Sequence, residues 1–144
     1  MDELKQAMKQ AFANSYAFYL KAQYFHWNVE GILFPQLHGL FDTIYSEVYG
    51  SIDPFAENIR KIGSYTPGSF SRLSQLAAIS DEERIPPAKD MLEILLQDND
   101  VILESIKAAY DAAEAVGAHG LSNFLAERQD AHMKHGWMLR ATLK

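Results

Sequence analysis

Leu4, Met8, Ala11, Ser15, Tyr19, Ala22 and His26 recur at steps of four and three, and nothing breaks the chain before Gly31. Such steps align on one face of an α-helix and on no face of a strand. The spacing predicts a helix over residues 2–29, with Asp2 and Glu3 at the positive end of its dipole. The pattern then repeats. Leu37, Phe41, Ile44, Val48, Ile52, Phe55, Ile59 and Ile62 stripe a second helix over residues 35–62, opened by Pro35 and closed by Gly63. Ala88, Met91, Leu95, Ile102, Ile106, Ala109 and Ala113 stripe a third, from Pro86 and Pro87 to Gly117, and a fourth is expected over residues 121–143. Long helices with one apolar face must bury that face against each other, so the fold is all-α, a single domain over residues 1–144.

The connections set the topology. The short AVGAHG turn makes the third and fourth helices antiparallel. Residues 64–85 are rich in Ser, Gly and Pro, and SRLSQLAAI within them predicts a short helix with Ser71 near its start. About 22 residues at ~3.3 Å each reach ~70 Å, whereas a helix of about 28 residues is only ~42 Å long. That connection can therefore return the chain to the opposite end, so the second and third helices run parallel.

Five ligand-type side chains fall between the first two helices: His26, His38, Asp42, Asp53 and Glu57, at steps of 12, 4, 11 and 4. Each step of four is one helical turn, and eleven is close to three turns, so the last four point within about 100° of one another. Three of them lie one residue past a member of the apolar stripe, flanking the core. They cannot share a metal within one chain, because Asp42 and Asp53 stand about 16 Å apart along the axis, against metal–ligand bonds of about 2 Å. Two readings remain. The residues are separate polar pairs on a solvated face, with His26 a core histidine; or a second copy packs antiparallel across a two-fold axis near residues 47 and 48. The second arrangement would set His38 and Asp42 opposite the partner's Asp53 and Glu57. Tyr45 and Tyr49, between the two pairs, read as packing for such an interface. Pro54 lies inside the second helix, and its ring should force a bend or bulge near Gly50.

The chain contains no Cys, which excludes disulfides, thiol catalysis and thiolate metal sites. His and carboxylate remain, a donor set suited to iron, manganese or zinc. No Glu stands three residues before a His, so the Glu-x-x-His pairs of an intrachain di-iron bundle are missing. His132 and His135 read as packing or surface residues, and Asp98 and Asp100 as solvated.

The His-Trp pair at residues 26 and 27, the LHGLFD segment with His38 and Asp42, and the Asp-x-x-x-Glu at Asp53 and Glu57 resemble the Dps family of ferritin-like mini-cages. The ending ERQDAHMKHGWMLRATL is similar to the last helix of that family. The resemblance implies a ferritin-like four-helix bundle whose long crossover between the second and third helices carries a short helix. It implies a homododecamer with ferroxidase sites shared between subunits. His26, His38 and Asp42 match ligands from one subunit, Asp53 and Glu57 match those from its two-fold partner, and Trp27 matches a tryptophan beside the site. The expected substrates are Fe2+ with hydrogen peroxide or O2, and zinc is a competing ion for the same donors. Entry pores near Asn123, Glu127, Asp130 and His119 follow from the same likeness; the plainer reading pairs Glu127 with Arg128 at the surface.

The net charge of −6 disfavours phosphate backbones. Lys5, Lys9 and Lys21 are scattered along one helix and read as a solvated face, so DNA binding, the alternative role for a nucleoid cage protein, is not expected. No apolar run approaches the ~20 residues of a membrane span, and MDELKQAMKQ lacks a signal-peptide pattern, so a cytoplasmic location is expected.

Overall fold

The computed structural model describes residues 1–144 as five helices and no strand. They are α1 (Asp2–Asn28), α2 (Phe34–Lys61), α3 (Phe70–Leu76), α4 (Ala88–Ala115) and α5 (His119–Leu143). The four long helices form the bundle. Helix α1 packs against α2 and α4, α4 against α5, and α3 lies on α1. None is long and apolar enough to cross a membrane.

The apolar stripes are where the spacing puts them. Leu37, Phe41, Ile44, Val48, Phe55 and Ile59 of α2 are all buried, as are Met91, Leu95, Ile102, Ile106, Ala109 and Ala113 of α4. Helix α1 buries more than its stripe: Phe12, Phe18 and Phe25 are also inside. It is the one long helix covered on three sides, by α2, α4 and the crossover, so a single stripe underestimates its buried surface. Truncating a buried Phe such as Phe18 or Phe41 typically costs about 3–5 kcal/mol.

The crossover is tied down by polar contacts instead of by a core of its own. The Tyr24 hydroxyl donates to the Arg84 carbonyl at 2.7 Å, the Ala78 amide to Asn14 Oδ1 at 2.7 Å, and the Thr66 hydroxyl to the Ala56 carbonyl at 2.7 Å. Helix α3 starts earlier than expected. Its cap is Ser69, whose hydroxyl accepts from the Arg72 amide at 3.1 Å, and Ser71 lies within the first turn.

Two surface assignments are corrected. Asp98 is not solvated, and Lys21 is not part of a solvated basic face. Lys21 Nζ and Asp98 Oδ2 meet at 2.7 Å across α1 and α4, with side chains only 7% and 14% exposed. Reading each helix alone could not find a pair 77 residues apart.

Pro54 does not interrupt α2, which is α-helical from Phe34 to Lys61, so no bulge breaks it near Gly50. The position four residues back is Gly50, with nothing near its missing side chain. It is exposed, so water reaches the carbonyl that lacks an amide donor. Asp53 therefore stays in register with Asp42 on one helix. Pro54→Ala restores that donor and is expected to raise stability by about 1–3 kcal/mol. Urea unfolding at fixed protein concentration checks this; an unchanged or lower midpoint would show that the proline is accommodated without cost.

Candidate metal centre

The turn between α1 and α2 brings His26 and His38 together. Gly31 adopts φ +120°, a conformation L side chains rarely take, and the chain reverses within residues 29–33. His26, near the end of α1, then faces His38, in the first turns of α2. The two rings stack with centroids 3.8 Å apart and planes 13° off parallel. Each Nδ1 lies 2.7 Å from the other residue's backbone carbonyl. A carbonyl only accepts, so both Nδ1 atoms must carry the proton. In the neutral rings both Nε2 atoms keep a free lone pair, the form in which histidine binds a metal. The His26 carbonyl belongs to the last turn of α1, where no helical donor remains, so His38 also caps that helix. Phe34 stacks on the outer side of His38 at 4.9 Å.

Asp42 lies beside this pair. Its Oδ2 is 4.0 Å from His26 Nε2, too far for a hydrogen bond but close enough for one cation with bonds of about 2 Å to touch both. Ser46 Oγ donates to Asp42 Oδ1 at 2.9 Å and orients the carboxylate. Asp53 and Glu57 sit further along the same side of α2. Both are exposed, and neither makes a side-chain hydrogen bond or ion pair within the chain. No three His, Asp or Glu side chains of the chain converge closely enough to hold a metal ion. The sequence-derived ligands thus fall into two separate groups, His26/His38/Asp42 and Asp53/Glu57. Trp27 is 58% exposed and lines a groove of about 660 Å³ between α1 and the crossover, with Leu20, Tyr24 and Phe70.

A second cluster of ligand-type residues escaped the sequence reading. Of the two readings of His132 and His135, packing holds: both are buried in the bundle. Arg128 is not a surface partner of Glu127 either. It is buried and donates to both oxygens of Glu47 on α2, at 2.6 and 3.0 Å. His135 Nε2 donates to the same carboxylate at 2.8 Å. Burial alone would raise the Glu47 carboxyl, but the hydrogen bonds and charge of His135 and Arg128 hold it well below the usual carboxylate range. Arg128 Nη2 approaches His132 Nε2 at 3.3 Å, and His132 Nδ1 approaches Asn99 Oδ1 at 2.8 Å. Guanidinium only donates, so His132 accepts at Nε2 and donates at Nδ1: it is neutral. Gly136 permits this approach, since a Cβ there would lie 3.0 Å from Asn99 Nδ2. A guanidinium thus occupies the bundle interior as a permanent cation. The one sequence signal for the cluster was the spacing of His132 and His135, which packing residues share.

Comparison with known proteins agrees with this architecture. The family described as "Ferritin-like domain" matches residues 5–144. A "DNA protection during starvation protein 2" from Bacillus anthracis is 30% identical over 125 residues, covering 87% of this chain and 86% of the relative. The crystal structure of a Dps protein from Bacillus brevis superposes with a TM-score of 0.93 at 28% identity, covering 98% of this chain and 95% of that one. The Dps protein from Vibrio cholerae, described as a member of a broad superfamily of ferritin-like diiron-carboxylate proteins, gives a TM-score of 0.94 at 27% identity, covering 99% and 90%.

The buried network carries its own pH signature. Burial, then the charges of Arg128 and His135, push His132 well below its ordinary value, so it stays neutral in the fold. Below about pH 6.5 the unfolded chain takes up a proton there that the folded chain refuses. Stability therefore falls with decreasing pH, by up to ~1.4 kcal/mol per unit from this group. Glu47 acts in the opposite range: its contribution is present above its ordinary value of about 4.3 and is lost only in stronger acid. His132→Gln is expected to flatten the decline between about pH 6.5 and 5 in urea titrations. Equal slopes in parent and variant would contradict the assignment.

Proposed function

Taking as premise that this chain belongs to the ferritin-like family, and within it to the Dps proteins, we propose that it is an iron-storing, protective mini-ferritin. In this reading it oxidises Fe2+, preferentially with hydrogen peroxide, at sites shared between two-fold-related copies of a dodecameric cage. The observation that carries it is the reciprocal hydrogen bonding of His26 and His38. It leaves two Nε2 lone pairs free beside Asp42, but no three side chains of the chain converge closely enough to close a pocket on one ion. The carboxylates of Asp53 and Glu57, free of any partner within their own chain, complete the pocket of the facing copy. A self-complementary two-fold contact makes this arrangement twice.

Fe2+ is the substrate. Asp53 and Glu57 from one copy, with His26 from the other, bind the first ion. His38 and Asp42 hold a second, weaker ion or a water. Two irons give peroxide two electrons together, so it leaves as water and no hydroxyl radical is released. Trp27, next in sequence to His26, takes up a stray oxidising equivalent. Fe3+ then hydrolyses and is stored inside the cage. Zinc competes for the same donors. Glu127 and Asp130, both exposed in the first half of α5, which begins at His119 and also carries Asn123, are the proposed acidic lining of the entry pores. Binding of DNA is no part of the proposal: Lys21 is neutralised inside the fold by Asp98, and the chain is acidic.

The test is Asp53→Ala combined with Glu57→Ala, followed by stopped-flow iron oxidation with peroxide. These residues are exposed and make no side-chain hydrogen bond or ion pair within the chain, so the fold should survive. The rate is expected to fall by about 10²-fold or more. Oxidation at the parent rate would remove the shared site.

A further inference from the structure

Every serine and threonine hydroxyl of the four long helices but one bonds back to the backbone of its own helix. Ser15, Thr43, Ser51, Ser105, Ser122 and Thr142 each donate to a carbonyl three or four residues earlier. That is the usual place for a short hydroxyl in a helix. Ser46 is the exception. Its Oγ donates to Asp42 Oδ1 at 2.9 Å, although the carbonyl of that same Asp42 stands one turn back. A carboxylate is the stronger acceptor, so the hydroxyl is drawn off the backbone and onto the side chain.

The two oxygens of Asp42 are thereby set to different tasks. Oδ1 is occupied by Ser46. Oδ2 is the oxygen toward His26, 4.0 Å from its Nε2, and accepts no hydrogen bond within the chain. A carboxylate binds a cation through one oxygen or through both, and the second mode needs both oxygens turned to the ion. The bond from Ser46 opposes that turn. The Asp42 side chain is 51% exposed, so little packing restrains it, and this is its one hydrogen bond within the chain.

We propose that Ser46 is a positioning residue: it holds Asp42 to coordination through Oδ2 alone, which keeps the second ion of the site weakly bound and one of its coordination positions open to the oxidant. The inference rests on the iron-oxidising reading above and deepens it. A one-oxygen ligand leaves an ion with fewer protein bonds than a two-oxygen ligand does. The ion is then held less tightly, and the position that the second oxygen would fill is left to a small molecule from solvent. The same looseness lets oxidised iron leave for the cage interior, where an ion held by both oxygens would stay. Ser46 touches neither iron nor oxidant and acts through Asp42.

Two measurements on the assembled protein test this: titration with Co2+ in the absence of oxidant, and stopped-flow oxidation of Fe2+ by peroxide. Co2+ accepts the same donors as Fe2+, and its visible absorption weakens as its coordination number rises. Ser46→Ala removes the hydroxyl at an exposed helical position where alanine is favourable, so folding is not at issue. It is expected to bind the second Co2+ of each site several-fold more tightly, with a weaker band, and to oxidise iron several-fold more slowly. Ser46→Thr keeps a hydroxyl on the same carbon and is expected to bring both values back to those of the parent. A role in packing alone would lower affinity and rate together. Affinity that falls or holds in Ser46→Ala, a rate that holds, or Ser46→Thr behaving as Ser46→Ala would overturn the assignment and leave the metal centre standing. A parent that neither binds Co2+ nor oxidises iron would overturn both.

Discussion

Two hydrogen bonds between the end of α1 and the start of α2 make this chain more than a helical bundle. His26 and His38 each donate from Nδ1 to the other's carbonyl, at 2.7 Å in both directions. The pair is structural and chemical at once. It satisfies an orphaned carbonyl of α1, locks two rings in a stack, and fixes which nitrogen of each ring carries the proton. The tight reversal through Gly31 is what permits it. At the proposed metal site, rings held by the backbone itself need no reorganisation when a cation arrives, whereas Asp53 and Glu57 remain exposed and unpaired within the chain.

The interior of the bundle shows why a metal would be held at its surface. His132 and His135 lie inside the bundle, where His135 reaches the partly exposed Glu47 carboxylate of α2. Arg128 sits among them with its guanidinium on both oxygens of Glu47. A fixed positive charge there repels any cation, and His132 spends its remaining donor on Asn99. The ion pair is partly solvated at Glu47, so its net contribution to stability is modest compared with a fully buried pair. It also leaves the proposed iron chemistry to the outer side of α2, where the carboxylates of Asp53 and Glu57 are exposed.

The fold was largely legible from the sequence because its signals are local. Stripes at steps of three and four, prolines at helix starts and glycines at their ends placed all four long helices to within about two residues. The ligand candidates were legible for the same reason: one-turn spacings on a helix are read directly from residue numbers. Contacts between distant segments were not legible. Lys21 with Asp98, and Arg128 with Glu47, each join helices far apart in sequence, and each charged residue alone looks like a solvated one. Pro54 does not interrupt its helix, because whether its ring forces a bulge depends on what lies four residues back, here an exposed glycine with nothing close to it. The stacking of His26 on His38 also had no signature, because a step of twelve becomes a contact only once the intervening turn is known.

If each pocket is made of two half-sites from different chains, as proposed, two complementary variants should restore activity when they assemble together. One variant carries His26→Ala with Asp42→Ala, the other Asp53→Ala with Glu57→Ala, and the two are co-assembled at random in equal amounts. Each variant alone should be nearly inactive in peroxide-driven iron oxidation. In the mixture roughly half of the two-fold contacts join unlike chains, and each of those holds one intact pocket of two, so roughly a quarter of the parent activity should return. A mixture no more active than its separate components would contradict the account.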